Sequence, residues 1–158
     1  MILTLALTGG LLSAARLAFV SLGAIRPSNL GVRNETLAEC PDSPNCVSSL
    51  TSRQACAMPP ITYEGAAETA MQTVIDVVSG MDDVRVVSTE DRYIRCEFST
   101  SLFRFVDDVE FLVDSAESVI HFRSASRIGH YDFDLNRRRM NEIRRRFIEA
   151  SSVPEPKT

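Results

Sequence analysis

Between Leu102 and Arg127 apolar residues recur at every second position, and this alternation constrains the fold more than any other stretch. Phe103, Phe105, Val109, Phe111 and Val113 keep the period of a strand buried on one face, broken only at Asp107, and Ile120 and Phe122 resume it beyond Asp114-Ser-Ala-Glu117. A four-residue loop from Asp114 to Glu117 pairs Phe111 with Ile120 and Val109 with Phe122. A five-residue loop sets Val109 against Arg123 and Phe111 against His121, so the apolar pattern selects the shorter one. On the outer, wet face this register opposes Asp108 to Arg123 and Glu110 to His121, cross-strand pairs worth roughly a few tenths of a kcal/mol each. On the inner face it sets Asp107 beside Ser124, with Ser126 next along. A carboxylate turned into an apolar core costs several kcal/mol unless paired or hydrogen-bonded, so Asp107 needs a partner.

The neighbouring segments extend the same sheet. Val84 and Val86 lead through Thr89-Glu-Asp91 into Ile94, Cys96 and Phe98, which gives an α+β fold built on a four-stranded antiparallel meander, with Ile61 to Glu64 as a candidate fifth, edge strand. Two helices are expected on one face. Ala67, Ala70, Met71, Val74, Val77, Val78 and Met81 recur at three and four spacing until Gly80 and Asp82-Asp83 end the pattern, and Asn136, Met140, Ile143 and Phe147 share one side of a last helix N-capped by Asp134. Cys96 falls on the inner face as an inert core residue.

With 158 residues the chain divides into a hydrophobic anchor or signal segment at 1–25, a linker at 26–36, one α+β domain at 37–150 and a disordered tail at 151–158. The run from Ile2 to Ile25 is long enough to form an N-terminal hydrophobic helix across a bilayer, but Arg16 interrupts it and a basic leading region is missing. A signal peptide, an anchor, an interfacial helix and a core helix all remain open. The net charge of -4 argues against nucleic-acid binding, although eight of the seventeen basic residues fall between Arg123 and Arg146. Four cysteines and two histidines, His121 and His130, stand at no familiar ligand spacing, so neither a metal nor a cofactor is expected. Cys40-Pro-Asp-Ser-Pro-Asn-Cys46 is bent by its two prolines, and its thiols suit a disulfide in an oxidising compartment; in a reducing one Cys46 is a free thiol.

Three strings carry a resemblance: Cys40-Pro-x-Ser-Pro-Asn-Cys-Val-Ser-Ser49, Phe105-Val-Asp-Asp-Val-Glu-Phe111, and Arg123-Ser-Ala-Ser-Arg-x-Gly129 with Asp132 and Asn136-Arg137. In this order they resemble the family called domain of unknown function 1499, over roughly Leu37 to Phe147. The resemblance implies no activity. Similar proteins often carry an N-terminal membrane or export segment, and commonly place a glycine before the Asn-Arg, where this chain has Phe133-Asp-Leu.

In the expected fold Asp107, Ser124, Ser126, Arg127, Gly129, Asp132, Asn136 and Arg137 converge, because the last strand ends at Arg127 and the chain returns as a helix over the same face. Arg137, Arg127 or Asn136 would hold Asp107 in its ionised form, and the same groups suit a carboxylate or phosphate. A buried network that only fixes the helix on the sheet explains the same residues. Arg138, Arg139, Arg144, Arg145 and Arg146 fall mostly outward or flanking, as a solvated face or a contact for anionic lipid. Three function classes follow. The preferred one is a membrane-tethered or exported accessory module of the cell envelope that binds an anionic small molecule, lipid or protein partner. The others are a hydrolase using the Cys46 thiol or the Asp107/Asp132 acid-base pair, and a purely structural envelope domain. A cleft lined by ordered polar groups points to the first two, a filled one to the third.

Overall fold

The expected meander is present, and two short strands widen it along one edge. In the computed structural model, which describes residues 25–100 and 105–152, the elements run β1 (Cys46–Ser48), β2 (Ile61–Thr62), α1 (Ala67–Ser79), β3 (Val84–Glu90), β4 (Tyr93–Ser99), β5 (Val106–Asp114), β6 (Val119–Ser126) and α2 (Leu135–Ser151). The expected N-terminal hydrophobic helix, the tail from 153 onward and Phe103 lie outside the described residues. The sheet is antiparallel in the order β1-β6-β5-β4-β3. β2 pairs with β6 beyond the end of β1, so both short strands share one edge of β6.

The central hairpin differs from expectation by two residues of register. Phe111 faces Phe122, Val109 faces Ser124 and Asp107 faces Ser126, instead of Phe111 facing Ile120. The cause lies in the turn. Asp114 stays in the ladder opposite Val119, and its Oδ1 accepts the N–H groups of Ala116 and Glu117, so the four loop residues are Ser115 to Ser118, with Ser118 left-handed at φ 53. A slip of two leaves every side chain on its original face, and Asp107 still points inward.

The two helices cover that inner face. α1 buries Ala70, Val74, Val77 and Val78, and α2 buries Met140, Ile143 and Phe147, against Ile94, Cys96, Phe98, Val109, Phe111, Ile120 and Phe122. Each fully buried Val, Ile or Phe stabilises by ~1.5–3 kcal/mol, so this layer is the main source of stability. Burial pushes the Cys96 thiol up to about 12, which fits its reading as an inert core residue. Asp134 does not cap α2 as expected: it is left-handed (φ 60) and its side chain makes no cap bond. Asp132 takes that role, its Oδ2 accepting the Asn136 N–H at 2.8 Å and its Oδ1 the Asp134 N–H at 3.1 Å.

The outer face is not wet. Asp108, Glu110, Arg95 and Arg123 are all less than 5 % exposed, because the chain before β2 crosses this face. Leu30, inside the 26–36 segment that has the composition of a linker, and Leu37, just beyond it, are both buried, Leu37 against Tyr93, Leu112 and Leu50. The Gly31 N–H donates to Glu110 Oε1 at 2.7 Å.

Candidate functional site

Register and helix geometry together place a closed polar cluster on the inner face. Asp107, opposite Ser126 and almost fully buried, accepts from Arg139 Nη2 at 2.6 Å. Arg139 Nη1 donates to Asn136 Oδ1 at 2.6 Å, which also accepts from Ser124 Oγ at 2.5 Å. The Asn136 amide nitrogen donates to Ser126 Oγ at 3.1 Å and to Asn45 O at 3.0 Å. Asn136 therefore makes all four bonds that its side chain offers.

The partner of Asp107 is thus Arg139, not Arg137, Arg127 or Asn136, and Arg139 points inward rather than outward. Its position on α2, three residues after Asn136 and four before Ile143, sets it on the buried side, where its guanidinium also stacks 4.7 Å from the Phe98 ring centre. That spacing was the available signal; the charge of arginine masked it.

The other expected members lie apart from this cluster. Arg127 turns to the outer face, Arg137 donates to the carbonyls of Ala55 at 2.9 Å and Ala57 at 3.4 Å, and Asp132 caps α2. Gly129, left-handed at φ 89, offers its carbonyl to Asn45 Nδ2 at 2.6 Å, and Ser43 Oγ donates to Asn45 Oδ1 at 2.6 Å. Asn45 thereby clamps the Cys40–Cys46 loop onto the β6–α2 connection.

The outer face holds a second buried network. Arg95, Glu110 and Arg123 stand in one row across β4, β5 and β6, with Glu97 and Asp108 in the next. Arg123 Nη1 donates to Glu110 Oε2 at 3.2 Å, and Glu110 Oε1 accepts from the Tyr93 hydroxyl at 2.8 Å. Arg127 donates to Asp108 at 2.7 and 2.9 Å and to Glu97 at 2.5 Å, while Arg95 bridges the same two carboxylates. Burial opposes the charge on Glu97, but hydrogen bonds from Arg85, Arg127 and Arg95 outweigh it and lower the pKa to about 2. Burial, reinforced by the Glu110 carboxylate, pushes the Tyr93 hydroxyl far upward. The three buried guanidinium groups of Arg95, Arg123 and Arg127 are matched by three carboxylates, Glu97, Asp108 and Glu110, with the exposed Arg85 added at the rim on Glu97, which makes the network a structural ion cluster.

An open cleft of about 500 Å³ adjoins the inner cluster at the end of β4, between the α1–β3 connection and the first turns of α2. Met81, Asp82, Phe98, Leu135, Arg138 and Arg139 contribute to its wall. Arg138 Nη1 donates to Phe133 O at 2.7 Å, and the residue is exposed. Three distant segments build this cleft without a shared motif, so nothing in the sequence marked it; Asp82 and Asp83 read only as a helix stop.

Cys40 and Cys46 form a disulfide with a Cα separation of 5.8 Å, while Cys56 and Cys96 are free and buried. In this state Cys46 offers no thiol, and Asp107 and Asp132 are both held in structural bonds. Among the described residues no helix is long and apolar enough to cross a membrane. A family model described as a protein of unknown function (DUF1499) matches residues 36–147. No curated protein and no solved structure gives a match.

Proposed function

We propose, for a chain that belongs to the DUF1499 family, that it is an exported or membrane-tethered binding module of the cell envelope whose ligand seat is the cleft beside Arg139. The carrying observation is the double position of Arg139: its guanidinium is fixed by Asp107 and Asn136 within the closed cluster, and the same residue forms part of the cleft wall. The cluster is then the clamp that shapes the wall. Ligand pockets commonly enclose ~300–1,000 Å³ of mainly apolar wall with a few fixed polar groups, and Met81, Phe98 and Leu135 beside Arg138 and Arg139 follow that scheme. Asp82, Asp83 and Glu142 stand on the same wall and Arg139 is paired with Asp107, so the seat suits a small molecule with an apolar body and one anionic group bound at Arg138. The disulfide supports an oxidising compartment, and the apolar run from Ile2 to Ile25 supports a tether.

Native mass spectrometry of full-length protein extracted from membranes tests the seat. We expect a co-purifying anionic species that Arg138→Ala loses while melting like the wild type, since Arg138 is exposed. A wild-type protein that carries no such species, and whose melting does not respond to anionic amphiphiles, would refute the seat. For the tether, full-length chain is expected to stay in the membrane fraction through alkaline carbonate washing, and removal of residues 1–25 to release a folded domain; a wholly soluble full-length protein contradicts it. The closed bonding of Asn136 favours a second reading, a purely structural envelope domain, in which the cleft is unused.

A further inference from the structure

The fate of Cys56 is not explained by packing alone. It lies in one buried cluster with Cys40, Cys46 and Ala125, and its carbonyl accepts the Ser48 N–H at 3.0 Å, which ties it to β1. Cys46 is fixed in the same strand opposite Ala125. Cys40 instead sits in the loop before β1, outside any ladder. The turn that carries Cys56 is held against this loop: Thr51 Oγ1 donates to Glu39 Oε1 at 2.5 Å, and Arg53 pairs with Asp42 at 2.9 Å.

We propose that these three cysteines form a thiol–disulfide exchange site in which Cys56 attacks the Cys46 sulfur and Cys40 leaves. The Cys56 thiol loses its proton, its thiolate forms the Cys46–Cys56 bond, the Cys40–Cys46 bond breaks, and the Cys40 thiolate takes up a proton. No net oxidation occurs and no co-reactant is required. The direction follows from the backbone: Cys46 and Cys56 are already joined through Ser48, so their union breaks no ladder, whereas Cys40 lies outside any ladder, on a segment held by the side-chain contacts of Glu39 and Asp42, which can part without breaking the sheet. Cys96 shows the inert alternative, sealed in the main core among apolar side chains. The Cys56 sulfur, by contrast, lies against polar groups, donating to Arg53 O at 3.4 Å with Thr51 Oγ1 at 3.6 Å.

The exchange has a structural consequence. Cys40 closes the segment that covers the outer face, and its bond to Cys46 staples this cover to the sheet edge. Passing Cys46 to Cys56 removes that staple and leaves a thiol at Cys40.

The test uses full-length wild-type protein incubated at neutral and at mildly alkaline pH, quenched in acid, alkylated in denaturant and mapped without reduction by mass spectrometry. The expected result is a Cys46–Cys56 peptide with alkylated Cys40, forming faster at the alkaline pH because the thiolate is the attacking species, with Cys96 alkylated throughout. Cys40→Ser, supplied with oxidised glutathione, should close Cys46–Cys56 while folded. Wild-type protein that keeps only Cys40–Cys46 at both pH values overturns the proposal, whatever the variant does. So does a rearranged wild type whose new bond is Cys40–Cys56.

Discussion

Phe133 occupies a backbone conformation that its residue type disfavours: φ is 55, yet its ring is 86 % exposed and contributes little packing. A left-handed non-glycine residue costs ~1–2 kcal/mol, and glycine gives part of that back through its larger unfolded-state entropy. Phe133→Gly should therefore stabilise by roughly 0.5–1 kcal/mol in chemical denaturation. A destabilised variant would mean that the ring has a structural contact after all. The two adjacent carboxylates of β5 should behave alike although they face opposite ways. Asp107 is held by Arg139 and Asp108 by Arg127 and Arg95, both carboxylates about 1 % exposed; removal of Asp107 leaves the buried Arg139 without its carboxylate, and removal of Asp108 leaves two buried guanidinium groups to share Glu97. Asp107→Ala and Asp108→Ala should each cost ~3–5 kcal/mol. Equilibrium denaturation of the two variants checks this, and a nearly neutral Asp108→Ala would place that side chain in water.

At the scale of elements, the covering segment before β1 behaves as part of the fold. Leu37 is 3 % exposed against Tyr93 and Leu112, so Leu37→Ala should cost ~2–5 kcal/mol, and hydrogen exchange should rise at Tyr93 and Leu112 before it rises under α1. The meander and both helices were legible because period-two and period-3.6 patterns persist over many residues. The inward face of Asp107 was legible for the same reason. The hairpin register was not, because Asp114 can either begin the loop or remain in the ladder, and its choice depends on the bonds from Ala116 and Glu117 to its carboxylate. The buried outer face was hidden too: its strand residues are charged, and its cover places isolated leucines seven apart among polar residues, a pattern without periodicity. Arg139 was misplaced by the habit of setting charge outside, although its spacing from Asn136 and Ile143 was in plain view.

Over the whole molecule, the outer ion cluster ties stability to acid. Glu97 has a folded pKa of about 2 against an ordinary value of 4.5, so its contribution is complete above about 4.5 and is lost as the pH falls from there toward 2. Glu97→Gln should flatten the stability profile across that window in thermal melts, and an unchanged slope would show that Arg85, Arg127 and Arg95 do not hold the carboxylate. The chain also has two distinct ends. Its first described residues approach the start of β4, where the charge of Arg26 acts on Tyr93, whereas the cleft opens at Phe98 and Ser99, where β4 stops. Six residues of strand separate these points by about 20 Å. An attachment made at Ile25, the first described residue, would therefore leave the cleft turned away from the support, and a captured molecule as large as a folded domain could still reach it without steric interference from the surface.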